Sequence, residues 1–101
     1  MQFLTVAALF ASAALAGRTT CVTFLGAADA KFELQVPVSG EWTTIDNPLS
    51  ITYIQVANEP KAHCTAFGVD GSRTYVGSGH TIPVGPPQTQ HGIYCVQPYD
   101  S

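Results

Sequence analysis

The sequence predicts an all-β domain, a small sandwich or barrel of about six to eight short strands, and three observations predict it. Lys31–Val38 alternates strictly, with Phe32, Leu34, Val36 and Val38 on one face and Lys31, Glu33, Gln35 and Pro37 on the other. Turn-forming residues recur roughly every eight to twelve positions, which is the spacing of hairpin-linked strands. Beyond the first residues, no window carries apolar side chains at helical spacing.

Each element follows from its own residues. C-V-T-F-L from Cys21 is a short first strand, and G-A-A-D-A links it to the alternating strand with small, turn-forming residues. Pro37 has no N–H to give a ladder, so it belongs at a strand end or on a sheet edge. Ser39-Gly40 turns the chain into E-W-T-T-I, a brief third strand. Asp46-Asn47-Pro48 marks the next turn, and I-T-Y-I-Q-V is then dense enough in β-branched and aromatic residues for a central strand. After the polar N-E-P-K-A, the strands H-C-T-A-F-G-V and R-T-Y-V flank Asp70-Gly71-Ser72. Asp-Gly there is expected to supply the positive φ angles of a tight hairpin turn. H-T-I-P-V and G-I-Y-C-V-Q complete the set as two strands joined by G-P-P-Q-T-Q-H, where paired prolines impose an extended connecting path.

The chain opens on M-Q-F-L-T-V-A-A-L-F-A-S-A-A-L-A, an uncharged apolar run ending in the small-x-small pattern that signal peptidase accepts. Residues 1–16 are expected to be a secretory signal peptide, too short for the roughly 20 residues of a membrane-spanning helix. Residues 17–101 then form one small β domain, released into an extracellular, oxidising space. Its charges are scattered and sum to -3, with four Lys and Arg against seven Asp and Glu, which argues against nucleic acid and anionic membranes as partners. Neither Asn47 nor Asn58 heads an Asn-x-Ser/Thr sequon, so no N-glycan is expected.

The three cysteines, Cys21, Cys64 and Cys95, permit three single-disulfide arrangements with one thiol left over. Cys64 and Cys95 both sit inside strand-like segments, whereas Cys21 lies near the new amino terminus, so the expected pair is Cys64–Cys95. Cys21 is then either a buried small hydrophobe or, if exposed, the route to a disulfide dimer of an otherwise monomeric protein.

No motif in the chain carries chemistry by itself. His63, His80 and His91 lack the His-x-His or i, i+4 spacing of a local metal site, so only tertiary folding could bring them together, and neither metal nor cofactor is expected. No serine or cysteine stands in a nucleophile's context. Glu33, Glu41, His63 and His91 could in principle exchange a proton as in small secreted fungal ribonucleases, but the Tyr-Pro-His motif and phosphate-holding bases of those enzymes are missing. A glycosidase pair would need a cleft about 5 to 10 Å across between two carboxylates, rare in so small a domain. The reading is therefore non-enzymatic.

The aromatics are the better lead. Trp42, Tyr53, Tyr75, Tyr94 and Tyr99 are many rings for this length, and on an exposed sheet face they could stack on sugars or anchor a partner protein. Trp42, Tyr53 and Tyr75 are the candidate binding residues; the plainer expectation puts Trp42 and most tyrosines in the core or at its rim. Gly85-Pro86-Pro87-Gln88-Thr89 could also be presented to a hydrolase as a rigid inhibitory loop.

A leader followed by V-T-F-L-G-A-A-D-A-K-F-E-L, F-G-V-D-G-S and V-G-P-P-Q-T-Q before a last cysteine resembles small secreted proteins of filamentous ascomycete fungi. Among them it is most similar to the biotrophy-associated secreted effectors of plant-infecting species. The resemblance spans nearly the whole mature chain, and its motifs are turns rather than functional residues. It implies an effector or apoplastic surface protein at the fungus–plant interface, binding a host protein or a cell-wall polysaccharide, with the middle and final cysteines as the recurrent pair. A small cell-wall or carbohydrate-binding module is the alternative.

Overall fold

The computed structural model describes residues 18–97. The expected leader and Tyr99 lie outside the described residues. Within them the chain is all-β, in seven strands: β1 (Thr19–Leu25), β2 (Lys31–Pro37), β3 (Thr43–Thr44), β4 (Ser50–Val56), β5 (His63–Gly68), β6 (Arg73–Gly77) and β7 (Thr81–Val96). A single 3-10 turn, Ala27–Asp29, interrupts them. It fills the predicted G-A-A-D-A link, with Gly26 N donating to Ala30 O at 2.7 Å to close the β1–β2 hairpin.

All pairings are antiparallel, and the strands lie in the order β2-β1-β4-β7-β5-β6, with β3 also against β7. I-T-Y-I-Q-V is central as expected, since β4 pairs with both β1 and β7. β2 is an edge strand ending at Pro37, so both positions open to that proline are realised at once.

The last strand departs from the expectation. The two predicted strands are one, and G-P-P-Q-T-Q-H is part of it rather than a loop. Pro86 and Pro87 are accommodated because the ladder skips them: the pairs run from Tyr53–Pro83 to Ile51–Gln88, so residues 84–87 stand opposite Thr52 alone, where neither is asked for an N–H. β7 can therefore serve two neighbourhoods. Its first half pairs with β4, and its second half with β5 on one edge and β3 on the other. This bend folds the sheet over on itself, and β6 comes to lie against β4 and β7 without pairing to either.

One core results. Val22, Phe24, Val36, Ile51, Ile54, Val56, Val76, Val84 and Ile93 are buried together, and they come from both halves of the sheet. Phe24 is fully buried in it, stacked on Phe32 with centroids 4.8 Å apart and planes 12° from parallel. Cys64 and Cys95 are directly opposed on β5 and β7 and form the expected disulfide, with both residues buried. Cys21 is free and half-buried on β1, opposite Gln35.

The β5–β6 hairpin forms where Asp70-Gly71 predicted it, with different geometry. Gly71 alone has a positive φ, 94°, while Asp70 keeps an ordinary one. The loop is closed by Gly68 N donating to Ser72 O and Gly71 N to Gly68 O, a type I turn followed by one left-handed residue. Gln88 locks it. Its buried side-chain oxygen accepts from Asp70 N at 2.9 Å and Ser72 N at 3.1 Å, while its amide nitrogen donates to Pro86 O at 3.1 Å. Gln88→Ala is expected to cost roughly 1 to 3 kcal/mol by leaving these groups unpaired. Urea unfolding of that variant beside the exposed-loop variant Asp46→Ala, which should unfold like wild type, checks it.

Candidate binding surface

In the second half of the sheet, alternation divides the side chains between core and solvent. Cys64 and Ala66 of β5 and Thr74 and Val76 of β6 are buried; His63, Phe67, Arg73 and Tyr75 point the other way with Thr65. Register fixes how they line up. Tyr75 stands opposite Thr65, which stands opposite Tyr94; Arg73 stands opposite Phe67, which stands opposite Gly92; His63 lies between Gly77 and Val96.

Gly92 seats the largest ring of this face. Gly40, at φ 91°, turns the chain after β2, and its N–H donates to Cys95 O at 2.8 Å, so Glu41-Trp42 is led across β7. The indole then lies directly on the Gly92 backbone, in space that any Cβ at that position would overlap. Trp42 packs beside Phe67, centroids 5.4 Å apart, and His91, 5.7 Å apart. Phe67 in turn meets Tyr94 at 5.9 Å and carries the Arg73 guanidinium 5.5 Å from its ring centre. These rings are inclined to one another, by 42° between Trp42 and Phe67 and 54° between Trp42 and His91.

None of the three candidate rings lies in the core: Trp42 is 48 % exposed, Tyr53 45 % and Tyr75 63 %. The three do not form one patch. Trp42 and Tyr75 share the outer face of β5, β6 and the second half of β7, whereas Tyr53 is on β4, opposite Leu25 and Pro83 in the other half of the sheet. Phe67, Arg73 and His91, absent from the sequence-level set, join Trp42 instead. The sequence signal for Phe67 and Arg73 is parity along H-C-T-A-F and R-T-Y, which puts Phe67 with His63 and Arg73 with Tyr75.

Two shallow clefts flank Tyr75, where β6 faces the first half of β7. One, of about 360 Å³, is lined by His63, Thr65, Tyr75, Gly77, His80 and Ile82 among others. The other, of about 320 Å³, is lined by Arg73, Tyr75, Ile82, Pro83 and Gly85 among others. The segment considered as an inhibitory loop is thus strand, with Gln88 buried inside it. Glu33 on β2 and Glu41 before β3 are exposed, and neither lines these clefts. Among the described residues no three of His, Cys, Asp and Glu come together as a metal-binding group.

No family model and no curated protein matches the chain. Among solved structures it is similar to the crystal structure of IPSE/alpha-1 from Schistosoma mansoni eggs. That likeness has 16% identity and a TM-score of 0.53, over 81% of this chain and 91% of the other, and it is a likeness of fold.

Proposed function

We propose that the protein is a secreted, non-enzymatic binding protein that engages a partner protein through the outer face carrying Trp42, Phe67, Tyr75 and Arg73. The observation that carries this reading is the exposed indole seated on Gly92 and buttressed by Phe67 and His91. A large aromatic packed against a strand backbone, beside an arginine lying over a ring, is the composition of an interface anchor. Rings inclined by 42° to 54° favour a protein surface over a flat polysaccharide, which asks for roughly coplanar rings. The disulfide fits an extracellular setting. The resemblance to secreted fungal effectors directs the search to plant proteins of the fungus–plant interface.

The test is capture from plant extracellular fluid by the immobilised protein, identification of the captured protein, and calorimetry with that protein purified. Trp42→Ala is expected to weaken binding by roughly 2 kcal/mol or more, Tyr75→Ala by less, and Tyr53→Ala not at all. Retention on insoluble chitin or glucan that is lost in Trp42→Ala would replace this reading with a wall-binding module.

A further inference from the structure

We propose that His63 and His80 form a zinc-binding site on the outer face, at the opposite end of that face from Trp42. The two are 17 positions apart with no motif between them, and the fold brings them to one point. His63 opens β5 opposite Gly77, the last residue of β6, and the next turn carries His80 back over the same glycine, its N–H donating to Gly77 O at 3.1 Å. A Cβ on Gly77 would lie 3.5 Å from His80 Nδ1 and 3.6 Å from His63 Nδ1. Both nitrogens therefore face one position that the glycine leaves empty, and they are at most about 7 Å apart.

Zinc binds imidazole nitrogen at about 2.0 to 2.1 Å, so two nitrogens on a tetrahedral ion stand roughly 3.3 Å apart. Both histidines are exposed, so their rings can turn about the side-chain bonds toward that spacing without disturbing the core. The cleft they line, about 360 Å³, has room for an ion with water on its two remaining positions, and Thr65 and Tyr75 line it too. Imidazole is a preferred donor for zinc and its neighbours in the transition series. With two protein ligands rather than four, the site is open and exchangeable rather than structural.

The test is a nuclear magnetic resonance titration of the untagged protein with zinc chloride, its disulfide intact and Cys21 replaced by Ser so that the free thiol does not compete. The expected result is saturable one-to-one binding that shifts the His63 and His80 ring signals and leaves those of His91 in place. His63→Ala and His80→Ala, each checked for a native spectrum, should each weaken it by roughly tenfold or more, and His91→Ala should not. Absence of saturable binding would overturn the proposal, as would binding that survives both substitutions or that His91→Ala abolishes.

Discussion

Cys64→Ala or Cys95→Ala is expected to lower the unfolding free energy by roughly 2 to 5 kcal/mol and to leave the domain largely unfolded near 37 °C. The bond joins directly opposed residues on β5 and β7, Cα atoms 4.0 Å apart, across a sequence separation of 31. That separation contains the β5–β6 hairpin, the turn to His80 and nearly all of β7, so the crosslink holds the fold-over of the sheet against the entropy of that whole loop. Chain entropy alone gives roughly 3 to 4 kcal/mol for a loop of this length, a large part of the roughly 5 to 15 kcal/mol that small domains possess. Either substitution also strands the partner thiol in the core, where both cysteines are at most 2% exposed. Cys21→Ala is expected to cost about 1 kcal/mol or less, because that side chain is half-buried on β1 and packs outside the core. Denaturant unfolding of the three variants checks the contrast, and a Cys64→Ala midpoint equal to that of wild type would sink it.

The parts of this fold written in local pattern are legible in the sequence, and the parts that depend on distant residues are not. Phe32, Leu34 and Val36 alternate because β2 buries one face, and the hydrophobic effect imposes that period whatever the topology. The β5–β6 turn is legible because only Gly71 must adopt a positive φ, and glycine does so without steric cost. The continuity of β7 is hidden because a proline pair reads as a break. Whether Pro86 and Pro87 break a strand depends on whether β4 needs an N–H donor at those positions, which the register at Thr52 does not. The candidate face is hidden for the same kind of reason. Trp42 lies where it does because Gly92, fifty positions later, offers a bare backbone to lie on, and His63 and His80 come to the same glycine, Gly77. Glycine's missing side chain is visible in a sequence; which distant ring will occupy the space it leaves is a tertiary fact.

Phe24→Ala is expected to cost roughly 3 to 5 kcal/mol, the range for emptying a fully buried phenylalanine site, and to act on one half of the sheet first. Phe24 has no exposed surface and stands on β1 between Phe32 of β2 and Ile54 of β4, so its ring holds the edge strand to the centre. The stack on Phe32 adds roughly 0.5 to 1.5 kcal/mol beyond the buried area. The disulfide ties β5 to β7 and reaches neither β1 nor β2, so nothing covalent compensates for a cavity here. Amide exchange in Phe24→Ala should therefore accelerate most in β1 and β2, with β5 and the second half of β7 retaining the slowest amides. Phe24→Leu keeps most of the volume and should cost less than about 1.5 kcal/mol, with the exchange pattern of the wild type. Exchange that rises equally in all strands of Phe24→Ala would show that the two halves open as one unit, and that the core joining them couples more strongly than the covalent staple divides them.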